Sequence, residues 1–119
     1  MMKAFEYISA GHTFQESVLV QPNREALWAA AFGVASLDGL FDIVKVEDAI
    51  PLFDAAIRKF NSDPEELRAL LALDDPLGLR GNRGVLVRFR QRMAQLGGTI
   101  TGAIDETADQ AEDSGPAGP

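Results

Sequence analysis

The first twenty residues alternate between apolar and polar side chains, which is the pattern of a half-buried strand. In the run "FQESVLV", Phe14, Val18 and Val20 fall on one face of an extended chain, and Leu19 falls on the other. The small polar stretch "GHT" separates this run from the earlier "AFEYISA". The pattern predicts an N-terminal β-hairpin. Pro22 ends the pairing because proline has no N–H to donate.

From residue 23 onward the apolar residues recur at intervals of three and four, which predicts about four helices. The first helix runs from an N-cap at Asn23 to a stop at Gly39, and the next two follow Asp48 and Ser62. The first helix is apolar nearly all round, since Trp28 and Phe32 form a second apolar row. A helix without a polar face lies in the core or beneath a partner. Trp28 and Phe32 therefore mark either the core or a homo-oligomer interface.

Segment 84–96 fits two interpretations. As a helix it gathers Val85, Leu86, Phe89 and Met93 in one arc, and as a strand it places Val85, Val87 and Phe89 on one side. The continuation "QRMAQLGG" contains good helix formers and ends in glycines, which favours the helix. The strand stays open as the alternative.

Residues 98–119 are rich in Gly, Thr, Ala, Pro and acid, and this composition predicts a disordered acidic tail. Residues 1–97 are then a single small globular domain. The expected fold class is α+β and mainly helical, with the N-terminal hairpin, about four helices and the tail. A chain cut after about Gly102 is expected to keep its fold, because the residues beyond have few side chains able to offset ordering entropy.

Composition narrows the class of protein. The chain has 119 residues, a formal net charge of −7 and no cysteine, which excludes disulfides, thiolate catalysis and Cys-based zinc or iron–sulfur sites. The start of the chain lacks the pattern of a standard signal peptide, and no long apolar run follows. We expect a cytoplasmic protein, or one assembled into a particle, that is not secreted by a standard signal and has no membrane partner.

Candidate catalytic chemistry is sparse. His12 is the only histidine and lies in the predicted hairpin turn, where an ordinary turn residue is expected. Carboxylate pairs such as Glu47 with Asp48 lie beside predicted helix starts, where capping and the helix dipole explain them. We therefore predict no catalytic residue, no metal site, no cofactor and no enzymatic activity.

The strongest functional feature is a cluster of arginines in an otherwise acidic chain. Residues 80–92 contain five arginines and no carboxylate. All five basic residues of this cluster are arginine and none is lysine, which favours bidentate contacts with carboxylate or phosphate groups. The alternative is that the arginines border an amphipathic element, with their stems on the core and their charges in water. The candidate contact residues are Arg80, Arg83, Arg88, Arg90 and Arg92.

The predicted function is therefore non-enzymatic binding of a macromolecule. The chain would act as an adaptor, an assembly chaperone or a regulatory, inhibitor-like subunit, with a protein as its partner. The alternative is an accessory subunit that binds nucleic acid through residues 80–92, although Phe89 is the only aromatic residue there for base stacking. The overall layout resembles phage tail-assembly chaperones and inhibitors of larger machines, and this resemblance implies no residue roles because no motif carries it.

Phe32→Ala tests the first helix. The free energy of unfolding should fall by about 3–5 kcal/mol if Phe32 is a core residue, and self-association should weaken if it lies in an interface. Urea unfolding and sedimentation measure the two effects. A loss well below about 1 kcal/mol in a monomeric protein would contradict both interpretations.

Overall fold

The computed structural model describes residues 2–105 of the chain. These residues form the strands β1 (Lys3–Ile8), β2 (Gln15–Val20), β3 (Phe41–Lys45) and β4 (Thr99–Asp105). They also form the helices α1 (Glu25–Phe32), α2 (Val46–Ser62), α3 (Pro64–Arg68) and α4 (Gly78–Leu96). Short 3-10 turns at Ala10–His12 and Pro22–Arg24 precede β2 and α1.

The strands form one antiparallel sheet in the order β2–β1–β4–β3. β1 pairs with β2 in an unbroken register from Lys3 opposite Val20 to Ile8 opposite Gln15. On its other side β1 pairs with β4, and β3 pairs with β4 at the far edge. The earliest and the latest strands of the described chain are therefore neighbours in the middle of the sheet.

A cluster of aromatic rings joins the sheet to the helices that cover one of its faces. Phe5 on β1 is fully buried, and its ring centroid lies 6.2 Å from Trp28 on α1 and 5.5 Å from Phe41 on β3. Phe53 of α2 stacks on Phe41 at 5.6 Å. On the opposite face of the sheet, Glu6, Ser17 and Leu19 are exposed. The result is a two-layer α+β arrangement with an aromatic core.

Two glycines allow β4 to lie close beside β1. A Cβ atom on Gly98 would overlap the carbonyl oxygen of Ile8, and one on Gly102 would overlap the backbone of Ala4 and Phe5. Their φ angles are +107° and +141°, in a region that glycine adopts far more readily than other residues. Neither position would accept a larger residue without moving the two strands apart.

The predicted fold class is wrong in its sheet and in its tail. The hairpin of β1 and β2 is half of a four-stranded sheet, and β4 occupies residues that were expected to be disordered. The small residues of β4 suggested a loose segment. They are instead held by ladder hydrogen bonds on both sides of the strand, which require no bulky side chains. The rest of the predicted tail, residues 106–119, lies outside the described residues.

The first helix is shorter than its apolar pattern predicted. α1 ends at Gly33, whose φ of +73° is left-handed, and the N–H of Val34 returns to the carbonyl oxygen of Ala29 at 2.9 Å. This is the usual glycine-based end of a helix. The prediction that the first helix ends at Gly39 was therefore wrong. Asn23 is also not the N-cap, because Arg24 occupies that position. The apolar repeat continued past Gly33 because the following loop also packs on the core.

A truncation tests the role of β4. A chain ending after Gly102 should unfold more easily than one ending after Asp105, because it lacks Ala103, whose N–H donates to Leu37 and whose carbonyl oxygen accepts from Gly39. We expect a loss of at least about 2 kcal/mol from these hydrogen bonds and the missing end of the strand. Urea unfolding followed by the fluorescence of Trp28 measures it, and equal midpoints for the two chains would show that this end of β4 is dispensable.

Candidate functional site

α4 carries all five candidate arginines and no carboxylate. Segment 84–96 is thus helical, and the helix begins earlier, at Gly78, ahead of the segment for which a helix was predicted. Ion pairs between neighbouring turns of α4 are impossible without an acid in the helix. The positive charge of α4 is therefore balanced only by groups from other elements.

A buried hydrogen-bond network fixes the start of α4 against α1. The indole N–H of Trp28 donates to Oδ1 of Asn82 at 2.8 Å. The Asn82 amide donates in turn to Asp75 at 3.1 Å and to the carbonyl oxygen of Gly78 at 2.7 Å. Arg24 makes two parallel hydrogen bonds to the Asp75 carboxylate, at 2.9 and 3.0 Å. Because Asn82 is fully buried, this network sets the rotation of α4 about its axis.

The Asp75 carboxylate is held in its ionised form. Hydrogen bonds from Arg24 above all, and then from the Leu77 N–H and the Asn82 amide, lower the pKa of Asp75 to about 2 against the opposing effect of burial. The same contact with Asp75 raises the pKa of Arg24. The charge pair is therefore retained across the whole physiological pH range.

Three of the five arginines have partners among residues 2–105. Arg83 donates to the side-chain oxygen of Asn61 at 3.0 Å, and Arg90 makes two hydrogen bonds to Asp54, at 2.9 and 3.3 Å. The guanidinium of Arg92 lies 5.0 Å from the centre of the Phe14 ring and 3.6 Å from Glu16. Asn61 is neutral and the Glu16 contact is longer than a hydrogen bond, so among residues 2–105 only Arg90 is paired tightly with a carboxylate.

Arg80 and Arg88 form an exposed stripe with Gly84 between them. The three residues are four positions apart, so they lie on one side of α4, turned away from the core. Within residues 2–105 neither arginine has a salt bridge or a side-chain hydrogen bond to another residue. We call Arg80, Gly84 and Arg88 the outer stripe of α4.

A shallow groove separates α4 from β2. It has a volume of about 190 Å³ and is lined by the residues Glu16, Val18, Val85, Arg88, Phe89 and Arg92. Arg88 and Arg92 form its helical border. Oε1 of Glu16 is buried there without a hydrogen-bond donor among the described residues. The α4–β2 groove thus combines an apolar floor with two arginines. Arg92 lies 3.6 Å from Glu16, and Arg88 has no carboxylate partner among residues 2–105.

Trp28 and Phe32 both pack within the chain. Trp28 is 1 % exposed, and Phe32 is half-buried with its ring edge-on to Phe53 at 5.2 Å. Of the two residues only Phe32 offers surface to a second copy. The homo-oligomer interface stays a prediction.

His12 lies in an exposed turn and has the left-handed φ of +59°. It lines an open cavity of about 620 Å³ with Lys45 and the start of α2. The buried hydroxyl of Ser9 at this cavity already accepts the N–H of Phe14 at 2.9 Å. Residues 2–105 contain no cluster of three or more metal-ligating side chains, and no helix in that range is long and apolar enough to cross a membrane.

Sequence reasoning missed Asn82 and Asp75. Both lie in "DDPLGLRGN", whose glycines and proline are typical of a turn-rich loop. A buried polar residue carries no periodic pattern of its own. The available indication was chemical: the indole of a buried tryptophan requires a hydrogen-bond acceptor, and an asparagine at the edge of an apolar helix supplies one.

Comparisons of the chain with family models, with curated proteins and with solved structures give no match.

A pH titration tests the buried network. Since the pKa of Asp75 is about 2 in the folded chain and about 3.9 in an unfolded one, the carboxylate contributes stability that is present above about pH 4 and lost as the pH falls toward 2. The contribution at neutral pH is about 2–3 kcal/mol. Asp75→Asn should remove this part of the acid dependence of unfolding and should lower stability at pH 7.

The matched control is Asp74→Asn. Asp74 is exposed and accepts only a long hydrogen bond of 3.4 Å from Asn23. Its variant should keep the acid dependence of the parent chain. If Asp75→Asn also kept it, the ion pair with Arg24 would not stabilise the fold.

Proposed function

We propose that this chain is a non-enzymatic binding subunit, acting as an adaptor, an assembly factor or a regulatory component, and that it contacts an acidic protein surface through α4. The contact centres on Arg80 and Arg88 of the outer stripe and extends to Arg92. Arg83 and Arg90 serve the packing of α4 on α2.

One observation carries the proposal: among residues 2–105, the exposed Arg80 and Arg88 have no carboxylate partner, although the chain has more acidic than basic residues. The chain has 18 acidic and 11 basic residues, yet α4 contains no acid, and neighbouring elements pair only part of its charge. Surface ion pairs form readily wherever acids are close. Along the outer stripe no such pair forms among residues 2–105, which leaves a local positive surface that favours an oppositely charged partner.

Gly84 gives this surface a specific shape. It lies between the two arginines, and a Cβ there would meet the guanidinium of Arg88 at 3.3 Å. Glycine in the interior of a helix destabilises it by about 1 kcal/mol relative to alanine. A partner's backbone approaching between Arg80 and Arg88 would offset that cost, because only a glycine leaves room for it.

An acidic protein suits this surface better than a nucleic acid. The net charge of −7 repels a phosphate backbone and an acidic protein alike at long range, so it does not distinguish the two partners. The distinction comes from stacking, because binding of single strands relies on exposed aromatic rings. Near the arginines Phe89 is buried and Phe14 is covered by the guanidinium of Arg92.

Charge reversal of the stripe tests the function. The double variant Arg80→Glu with Arg88→Glu should bind fluorescently labelled poly-glutamate at least about tenfold more weakly than the parent chain, because two attractions become repulsions. The effect should shrink as salt rises, since exposed charges are screened. Fluorescence anisotropy at two salt concentrations measures both.

The control is Lys45→Glu with Arg58→Glu, which makes the same charge change at exposed residues outside α4. It should shift the affinity by no more than about twofold. Equal losses in the two double variants would refute the proposal. Labelled single- and double-stranded DNA and RNA are titrated in parallel, and tighter binding of any of these than of poly-glutamate would establish the nucleic-acid alternative in its place.

A further inference from the structure

The two edges of the sheet differ in how well they can accept another strand. At the β3 edge the register shifts between Phe41 and Val44, and Ile43 has a left-handed φ of +52°. Bulges and irregular backbone of this kind block further pairing. β2 forms the other edge, and its pairing with β1 is regular over all six residues.

β2 lacks the usual protection of an edge strand. Its sequence "QESVLV" contains no lysine and no proline, and Glu16 is its only charged residue. In an antiparallel ladder alternate residues direct their N–H and C=O groups away from the neighbouring strand. Within residues 2–105 no strand pairs with that outer edge, since β2 is last in the order of the sheet. Its outward backbone groups are available to a partner.

The free edge of β2 adjoins the α4–β2 groove. A strand added to β2 would place every second side chain on the helix side of the sheet, beside Glu16 and Val18. Arg88 and Arg92 border the groove on that side. The side chains of the added strand would therefore meet two guanidinium groups.

We propose that an extended acidic segment of the partner adds to β2 as a fifth strand, with carboxylates at positions i and i+2 paired to Arg92 and Arg88. This inference rests on the proposed function and specifies how the acidic partner binds. Strand addition at an exposed edge combines backbone hydrogen bonds, which hold the segment, with side-chain contacts, which select its sequence.

The spacing of the two arginines supports this arrangement. Residues four apart in a helix are separated by about 6 Å along its axis. Residues two apart in a strand are separated by about 6.7 Å. Two carboxylates that flank one residue of any kind thus match Arg88 and Arg92, whereas adjacent carboxylates would point to opposite faces of the sheet.

Two other occupants fit the edge less well. Antiparallel pairing of β2 with a second copy would bring both α4 helices to the same face of the sheet, with Arg88 and Arg92 of each copy facing like charges. The acidic residues of the chain's own segment 106–119 are Glu106, Asp109, Glu112 and Asp113. No two of them are separated by a single residue, so the segment lacks the required spacing.

Synthetic peptides test the inference. The probe is a labelled peptide of alternating Glu and Thr, about ten residues long so that it exceeds an ordinary strand. Its isomer has the same composition with all Glu residues in one block. The alternating peptide should bind the full chain about tenfold more tightly than the isomer in fluorescence anisotropy.

Methylation of backbone nitrogens reports strand addition directly. One version of the alternating peptide is methylated on two odd-numbered amides in its centre and another on two even-numbered ones. Only one set points toward β2, so one version should lose binding and the other should keep it. Equal binding or equal loss for the two versions would overturn strand addition.

Two charge-neutralising variants separate this inference from the proposed function. Arg88→Gln with Arg92→Gln should weaken binding of the alternating peptide about tenfold, and Arg83→Gln with Arg90→Gln, on the opposite border of α4, should change it by less than about twofold. Circular dichroism and thermal unfolding verify that both variants fold.

If the first variant weakens binding but the block isomer binds as well as the alternating peptide, strand addition is wrong and the acidic contact through α4 survives. If both variants bind like the parent chain, the inference and the proposed function fail together. A concentration-dependent dimer that the peptide disrupts would show that a second copy occupies the edge, and this too would overturn the inference.

Discussion

The buried network of Trp28, Asn82, Asp75 and Arg24 is the interaction on which the placement of α4 depends. It links α1, the loop before α4 and the first turn of α4 through hydrogen bonds of 2.7 to 3.1 Å. Removing one member would leave a buried polar or charged group without a partner, which costs about 3–5 kcal/mol for an ion pair. An apolar cluster of the same size would tolerate several rotations of the helix. The directional bonds allow one rotation, and that rotation decides which arginines face water.

The absence of acids from α4 also determines which of its arginines are paired. Each arginine depends on another element for compensation, so the tertiary fold distributes the charge unequally. Arg90 pairs with Asp54 on α2, and Arg83 donates to the neutral amide of Asn61. The outer stripe has no partner among the described residues. A positive surface on a chain with net charge −7 is thus a product of topology as much as of composition.

Much of the local structure was predictable from residue patterns, and much of the long-range pairing was not. Alternation located the strands of the hairpin, and the recurrence of apolar residues at intervals of three and four located α2, because both patterns arise within a few residues. β4 was missed since its Gly, Thr and Ala residues acquire strand structure only between β1 and β3. The five arginines were identified as candidates from their clustering. Their separation into paired and unpaired groups depends on Asp54, Asn61 and Glu16, which are distant in sequence and carry no sign of the contact.

The position of β4 between β1 and β3 also has a consequence for how the chain is made. During synthesis the ribosome releases β1 and β2 long before residues 99–105, so the inner edge of β1 stays open until nearly all of the described chain has emerged. Pairing between segments so far apart in sequence is slow, because a long loop must close before any contact forms. The nascent chain therefore passes through a stage in which a half-built sheet exposes Phe5 and Tyr7 near an unpaired edge, a state that molecular chaperones bind.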